Sequence, residues 1–171
     1  MDGQSVNMIR DNSDYIELIK EHLEFGDFKS SSGLLLTWKL DIIKLLPEQS
    51  EMMEYLYPMY KCIGIETGGM LLALSVSGSF SGIIRKQSEG DQVYEPQFYY
   101  SRYNADSKKV ITLVDDVVTT EKSMKRAALV LHQHNIKVGE YLCILDRRPK
   151  EFKTLEITSL VTNQDLGLPA L

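Results

Sequence analysis

Apolar residues recur along the chain with a helical period in some segments and as short continuous runs in others. In residues 14–23, Ile16, Ile19 and Leu23 stand at positions i, i+3 and i+7, which predicts an amphipathic helix. Further helices are predicted at residues 47–60, 70–77 and 123–135. Short apolar runs predict strands at 61–65, 80–84, 110–114, 141–145 and 155–161. This alternation, with short connections, predicts an α/β fold with an open, mostly parallel sheet flanked by helices.

Two segments depart from the alternation. Residues 28–41 suit a hairpin or an extended arm that turns at Ser32 and Gly33. Residues 85–109 mix charges and tyrosines without a sustained period, and a long irregular segment in a small domain is usually a functional flap or a loop. A strand or ribbon is possible there around Tyr99, Tyr100 and Tyr103. The length is close to that of one average domain, so we predict a single domain over residues 1–171.

The composition excludes several classes of protein. The net charge of −5 is opposite in sign to that of most domains that bind nucleic acid through bulk electrostatics. The N-terminus lacks the basic start and apolar core of a signal peptide, and the longest apolar run, residues 70–74, is too short to span a membrane. Cys62 and Cys143 lie within apolar runs, which predicts buried, reduced thiols and a cytoplasmic location. We therefore expect neither a nucleic-acid nor a membrane partner.

The strongest chemical signal is the segment 110–124, VITLVDDVVTTEKSM. An apolar strand ends in Asp115 and Asp116, and a loop rich in hydroxyl groups then leads into a helix. A helix N-terminus offers unpaired backbone N–H groups and a positive dipole end, which together favour a phosphate. The two carboxylates suit sugar hydroxyls, or Mg²⁺ held through water. The segment therefore predicts a sugar-phosphate site, with simple helix capping as the alternative.

Other candidate residues follow the remaining strands, because ligands of parallel α/β sheets bind at the carboxyl ends of the strands. These residues are Glu66, Thr67, Gly68, Gly69, Arg85, Lys86, Asp146, Arg147 and Arg148. The nucleotide-binding patterns G-x-x-x-x-G-K and G-x-G-x-x-G are not found after the predicted strands.

The segment VITLVDDVVTTEKS resembles the phosphoribosyl-pyrophosphate motif of type I phosphoribosyltransferases. Five other stretches narrow the resemblance to orotate phosphoribosyltransferases: FGDFKSSSGLLLTWKLD, GIETGGMLL, IRK, LDR and SLVTNQDL. They follow one another in the family's order over residues 14–166. The resemblance implies a type I phosphoribosyltransferase fold with a small N-terminal hood at about 1–45 and a mobile flap at about 85–109.

The resemblance also implies an activity, the transfer of phosphoribosyl from phosphoribosyl pyrophosphate to orotate, a step of pyrimidine biosynthesis. Asp115 and Asp116 would bind the ribose hydroxyls and, with Lys86, would be the catalytic residues. The 5′-phosphate would lie in the turn formed by Val117, Val118, Thr119, Thr120, Glu121, Lys122 and Ser123.

The remaining roles concern the base and the leaving group. Arg147 would pair with the orotate carboxylate, because the planar guanidinium matches a carboxylate in a bidentate manner. Thr119 would lie near the pyrimidine. The pyrophosphate would lie close to Glu66, Thr67, Gly68 and Gly69, and its charge would be offset by Arg85 and Lys86. The resemblance further implies Mg²⁺ on the pyrophosphate, with Asp115 and Asp116 as its possible protein ligands, and a homodimer with shared active sites.

Three departures from the family pattern leave other functions open. Glu121 stands where the phosphate turn usually has glycine, and its carboxylate would repel a phosphate unless it points outward, for example toward Lys122. Residues 87–91, QSEGD, lack the usual lysine and histidine of the flap. The aromatic patch is altered at 34–40, LLLTWKL. A phosphoribosyltransferase with another base preference, or a weakly active or non-catalytic nucleotide-binding homologue, is therefore the alternative.

Overall fold

A mostly parallel sheet of six strands forms the centre of the fold in the computed structural model, which describes residues 12–29, 33–76, 80–86, 94–98 and 109–169. Within these ranges the helices and strands are, in chain order, α1 (Asn12–Glu21), β1 (Leu23–Lys29), β2 (Leu35–Leu40), a 3₁₀ helix (Ile42–Glu48), α2 (Gln49–Leu56), β3 (Lys61–Ile65), α3 (Gly68–Ser75), β4 (Phe80–Lys86), β5 (Tyr94–Phe98), β6 (Lys109–Val118), α4 (Lys122–Gln133), β7 (Ile136–Asp146), a 3₁₀ helix (Lys150–Phe152) and β8 (Thr158–Thr162).

The strand order determines where a ligand can bind. The order is β5-β4-β3-β6-β7-β8, with β5 antiparallel to β4 at one edge and the other neighbours parallel. From β3 the chain proceeds outward to β4 on one side, and from β6 it proceeds outward to β7 and β8 on the other. The reversal opens a crevice at the carboxyl ends of β3 and β6, where parallel α/β sheets bind ligands. The predicted α/β fold with a mostly parallel sheet is confirmed.

Hydrophobic cores cover both faces of the sheet. On one face, α4 buries Met124 and Leu131 against residues of β3, β6 and β7. On the other face, Met52 of α2 and Leu72 of α3 pack with α1 and with β2 of the hairpin. All four of these side chains are fully buried, and burying one such side chain contributes roughly 1.5–3 kcal/mol. The two cores hold the sheet rigid beneath its carboxyl edge.

The N-terminal arm is an antiparallel hairpin, which is one of the two forms that the sequence predicts for it. Strand β1 pairs with β2 in a register that places Phe25 opposite Trp38. Trp38 is 2% exposed and belongs to the core shared with α1 and α2, whereas Phe25 is 68% exposed. Of the two residues predicted to form the turn, Ser32 lies outside the described residues and Gly33 lies within them.

Several boundaries differ from the prediction. Strand β7 begins at Ile136 instead of residue 141, and β8 begins at Thr158 instead of residue 155. The helix predicted at 47–60 is wrong at both ends, because residues up to Glu48 form a 3₁₀ helix and α2 ends at Leu56. Tyr57 takes a left-handed conformation with φ of 48°, and Pro58 follows it. A left-handed residue ends a helix, and the residue before a proline avoids the helical region. Tyr57 and Met59 are consequently exposed.

The strand predicted at 110–114 is longer than its apolar run. Strand β6 continues to Val118, because the residues after Val114 keep pairing with β7, up to Val118 opposite Asp146. Asp115 and Asp116 therefore lie within the strand rather than after it. The segment 85–109 is also more regular than predicted: its first residues end β4, and β5 forms an edge strand in which Pro96 is tolerated.

Several predictions fall outside the described residues. These are the flap stretch 87–91 and the tyrosines at 99, 100 and 103. Among the residues that are described, every helix is too short or too polar to cross a membrane.

Candidate functional site

A cleft of about 270 Å³ opens at the crevice between β3 and β6. Its walls come from the loop after β3 and from the end of β6 with the turn into α4. The lining residues are Glu66, Thr67, Gly68, Asp115, Asp116, Val117, Val118, Thr119, Thr120, Glu121, Lys122, Ser123 and Met124. Most of the predicted sugar-phosphate residues therefore share one cleft.

Glycine allows the loop after β3 to approach the acidic strand. A Cβ atom on Gly68 would lie 2.2 Å from Oδ2 of Asp116, and one on Gly69 would lie 2.2 Å from the carbonyl oxygen of Val114. Any side chain at these positions would force the two elements apart. The peptide bond between Glu66 and Thr67, just before the glycines, is cis. Gly69 lies behind the cleft as part of this close contact.

The two aspartates present carboxylates at the floor of the cleft. Asp115 is 6% exposed, and its Oδ1 accepts a hydrogen bond of 3.1 Å from the backbone N–H of Asp116. Asp116 is half-buried beside Gly68. Carboxylates so placed can accept hydrogen bonds from vicinal hydroxyl groups of a sugar.

The turn and the start of α4 form the opposite end of the cleft. Thr119, Thr120 and Ser123 are half-buried there, and Lys122 is exposed. Glu121 is the N-cap residue, and its side chain makes no capping hydrogen bond to α4. The first N–H groups of α4 and the positive end of its dipole therefore favour an anion at this point.

Glu121 differs from every other member of the turn. Its backbone is left-handed, with φ of 43°, and its side chain is 3% exposed. The carboxylate accepts hydrogen bonds from the backbone N–H groups of Thr154 and Leu155, at 2.7 and 2.9 Å, and from the Thr154 hydroxyl at 2.6 Å. It also pairs with Nζ of Lys125 at 2.8 Å and with the Arg148 guanidinium.

These partners decide where the Glu121 charge points. All of them lie outside the cleft lining, so the carboxylate is directed away from the cleft, toward Lys125 and Arg148 rather than Lys122. Burial raises the pKa of Glu121, but the hydrogen bonds from Leu155, Lys125 and Thr154 outweigh burial and lower the pKa to about 2. The residue is therefore a buried anion at neutral pH.

Arg147 lies under the N-terminal hairpin rather than in the cleft lining. Its guanidinium stacks 3.7 Å above the centre of the Trp38 ring, and Nη1 donates to the Trp38 carbonyl oxygen at 2.9 Å. The side chain is 2% exposed, and its buried Nε has no hydrogen-bond partner among the described residues. Burial lowers the pKa of Arg147 to about 10. A buried cation of this kind gains free energy from any anion that reaches it.

The residues after β4 lie at the rim. Nε of Arg85 is 3.8 Å from Oε1 of Glu66, and both side chains are partly exposed to solvent. Lys86 ends β4, and its side chain lies outside the described part of the structure. Arg85 is thus close enough to the loop after β3 to act on the same ligand.

Sequence reasoning missed two features of the site. The first is the stacking of Arg147 on Trp38, and the second is the ion pair between Arg148 and Glu121. The signals were present: an acid where the family has glycine, and two consecutive arginines after β7. Neither signal names its partner, because the partners are separated by 109 and 27 residues along the chain.

The donor set does not form a metal site by itself. In the described ranges, no group of three histidine, cysteine or acidic side chains converges as ligands of an ion. Asp115 and Asp116 could offer carboxylate oxygens to an ion that a substrate also holds. Mg²⁺ commonly binds in this way, through one or two carboxylates, water and substrate phosphates.

Comparisons with known sequences point in one direction. No protein-family model matches the chain. A curated orotate phosphoribosyltransferase from Methanospirillum hungatei is 30% identical in an alignment that covers 85% of this chain and 91% of the relative. Another, from Methanocella arvoryzae, is 27% identical in an alignment that covers 91% of this chain and 97% of the relative.

Solved structures with a similar fold are phosphoribosyltransferases. The orotate phosphoribosyltransferase of Aeropyrum pernix superposes with a TM-score of 0.64 at 22% identity, covering 88% of this chain and 94% of the other. That of Mycobacterium tuberculosis, in complex with 5-phospho-α-D-ribosyl 1-diphosphate, gives 0.63 at 18% identity and covers 93% and 100%. An adenine phosphoribosyltransferase gives 0.56 at 18% identity and covers 86% and 99%. The fold is therefore that of type I phosphoribosyltransferases, and the fold alone does not select the base.

Proposed function

Because the chain belongs to the orotate phosphoribosyltransferase family, we propose that it transfers phosphoribosyl from phosphoribosyl pyrophosphate to orotate. The products are orotidine 5′-monophosphate and pyrophosphate. The observation that carries the proposal is the cleft itself, which joins two strand-borne carboxylates to a hydroxyl-rich turn at the N-terminus of a helix. A sugar bearing a 5′-phosphate matches both ends of this cleft.

In this proposal, each wall of the cleft binds one part of the substrate. Asp115 and Asp116 accept hydrogen bonds from the ribose hydroxyls. The backbone N–H groups of the turn and α4, with the Thr119, Thr120 and Ser123 hydroxyls, bind the 5′-phosphate. The pyrophosphate then lies toward Glu66 to Gly69, where Arg85 and Lys86 offset its charge.

The reaction needs orientation and charge compensation rather than a covalent nucleophile. The bond from the anomeric carbon to the pyrophosphate oxygen breaks, a ring nitrogen of orotate forms the new bond to that carbon, and the proton on that nitrogen is released to solvent. Positive charge develops on the ribose as the leaving group departs, and the carboxylates below the ring stabilise it. Mg²⁺, when bound with pyrophosphate, supplies further compensation of the leaving-group charge. Asp115 and Asp116 would offer carboxylate oxygens to this ion.

The base preference rests on Arg147. Orotate differs from uracil by a carboxylate, and a desolvated guanidinium stacked on Trp38 is suited to pair with it. Thr119 lies on the side of the cleft from which the base enters in this proposal. A purine offers no carboxylate, so it would leave the Arg147 cation without an anion.

The proposal extends to the organisation of the protein. Residues 1–171 form a single domain with the hood at about 1–45 and the flap at about 85–109. Two copies associate and share their active sites, and the exposed aromatic side chains of Tyr55, Tyr57 and Tyr60 are candidates for the interface. The two buried free thiols, Cys62 and Cys143, support a reducing, cytoplasmic location.

A panel of bases tests the activity. The protein is mixed with phosphoribosyl pyrophosphate, Mg²⁺ and orotate, uracil, adenine or hypoxanthine, and the nucleotide product is separated by chromatography. We expect turnover with orotate above the other bases. Turnover with a purine or uracil alone would assign another base. Binding of a nucleotide without turnover of any base would favour a non-catalytic homologue, which the altered flap sequence 87–91 makes a real second candidate.

A variant of Arg147 tests the base site. In Arg147→Met the KM for orotate should rise by about 100-fold, because a buried carboxylate loses its charged partner. The KM for phosphoribosyl pyrophosphate should change little. Arg126→Met, which removes an exposed arginine from α4, is the matched control. Equal KM values for orotate in Arg147→Met and in the control would show that Arg147 does not bind the base.

A further inference from the structure

Glu121 combines two properties that rarely occur together. Its main chain lines the sugar-phosphate cleft in a left-handed conformation, with φ of 43°, which favours glycine over any residue with a Cβ atom. Its carboxylate is nevertheless buried on the far side of the turn. A strained backbone persists only where the surroundings hold it. The side-chain contacts of Glu121 are surroundings of this kind.

The contacts continue through Arg148. Nε and Nη2 of Arg148 bind the two oxygens of Asp146, both at 2.9 Å, while Nη1 binds Glu121 and the carbonyl oxygen of Leu155. The next residue back along the chain, Arg147, donates its backbone N–H to the Val118 carbonyl oxygen at 3.0 Å. One buried network therefore joins the phosphate turn, the end of β7 and the connection from β7 to β8.

The network also neutralises its own charge. The carboxylates of Glu121 and Asp146 are paired with Arg148, Lys125 and Lys153, the last at 3.3 Å from Asp146. A negative charge compensated in this way does not oppose a phosphate in the cleft. Glu121 is thus compatible with a phosphate in the cleft.

We propose that Glu121 is a positioning residue, which through its pair with Arg148 sets the shape of the phosphate-binding turn. Its carboxylate makes no contact with the ligand. The inference rests on the proposed function, since it assigns the turn to the 5′-phosphate. The ion pair thereby holds a left-handed backbone position that glycine would adopt without a partner.

The test compares affinities for ribose 5-phosphate, which engages the turn without reacting. Glu121→Gln keeps the length of the side chain but turns an amide toward the donors of Lys125, Thr154 and Arg148. We expect its Kd for ribose 5-phosphate, measured by calorimetry, to rise by about tenfold, the effect of losing one charge-assisted hydrogen bond. The KM for phosphoribosyl pyrophosphate should rise in parallel, while kcat stays within about twofold.

Two more variants keep the inference testable if Glu121→Gln folds poorly. Glu121→Gly relieves the left-handed backbone but removes the anchor, so it should also bind ribose 5-phosphate more weakly. Thr154→Val, at an exposed position, removes the hydroxyl that donates to Glu121 and accepts from Lys125, and it should weaken binding by a smaller factor.

The matched control is Thr112→Val. Thr112 is a buried residue of β6 whose hydroxyl donates to Glu140 at 2.7 Å, away from the cleft. Its loss should lower stability without changing the Kd for ribose 5-phosphate.

The outcomes separate the inference from the proposed function. If the unmodified protein fails to bind ribose 5-phosphate and phosphoribosyl pyrophosphate, the proposed function is wrong. If it binds them and Glu121→Gln or Glu121→Gly binds equally well or more tightly, only the positioning role is wrong. Equal weakening in Thr112→Val would show that affinity follows general stability, which would also overturn the inference.

Discussion

Arg147 and Arg148 are consecutive residues after β7, and they are equally buried, at 2% and 4% exposure. Their surroundings are opposite. Arg148 faces the phosphate turn and is paired with Asp146 and Glu121. Arg147 faces the N-terminal hairpin and stacks on Trp38, and desolvation lowers its pKa to about 10. For Arg148, burial lowers the pKa, but the hydrogen bonds and attraction of its carboxylates more than offset burial and raise it.

The difference shows that two consecutive buried arginines can be satisfied to different degrees. A buried guanidinium whose donors are all matched stabilises the fold around it, and removing it leaves unpaired acids. A buried guanidinium with an unmatched donor costs free energy until a ligand supplies the anion. We infer that the region around Arg148, next to the phosphate turn, is preorganised. The region around Arg147, next to the hairpin, is completed by the substrate.

The largest expected effect is on stability. Arg148→Met should lower the free energy of unfolding by about 3–5 kcal/mol, because it leaves Glu121 and Asp146 buried without their shared cation. Arg147→Met should change it by only about 1 kcal/mol, since the lost stacking is offset by the removal of a desolvated charge. Urea denaturation of the two variants measures both values. Similar losses for both would end the distinction between a structural and a binding arginine.

A second effect should appear in acid. The folded-state pKa of Glu121 is lowered to about 2 from 4.5, so its contribution to stability is present above pH 4.5 and is lost as the pH falls toward 2. The free energy of unfolding of the unmodified protein should therefore fall across this range by about 2–3 kcal/mol more than that of Glu121→Gln. Chemical denaturation at pH 5.5, 4, 3 and 2 gives the difference. Parallel pH dependences of the two proteins would contradict the buried-anion description.

The sequence predicts the helices and strands that surround Arg147 and Arg148, but it does not predict how those elements pair with one another. Alternating helical stripes and apolar runs are local, so they identify the parallel sheet and the turn after β6. The extension of β6 through Asp115 and Asp116 is not local, because it depends on pairing with β7. Likewise β5 forms only because β4 offers an edge.

The two arginines illustrate the same limit at the site. The dipeptide Arg147-Arg148 has no local feature that sends one side chain to Trp38 and the other to Glu121. Tertiary contacts make that choice, since β2 and the phosphate turn lie on opposite sides of the end of β7. A substitution that breaks the family pattern, such as the acid at 121, shows where to look for a compensating partner without naming it.

The smallest expected effect is spectroscopic, and it tests whether the two regions respond separately. Trp38 is the chain's one tryptophan, and the Arg147 cation lies against its ring, so its fluorescence reports on the base side alone. Orotate should change the emission in the unmodified protein and in Glu121→Gln, because a carboxylate on Arg147 alters the charge beside the indole ring. The change should disappear in Arg147→Met, and ribose 5-phosphate alone should produce none. An equal response to ribose 5-phosphate would mean that binding at the phosphate turn is transmitted through Arg148 to Arg147. The distinction between a preorganised region around Arg148 and a substrate-completed region around Arg147 would then be wrong.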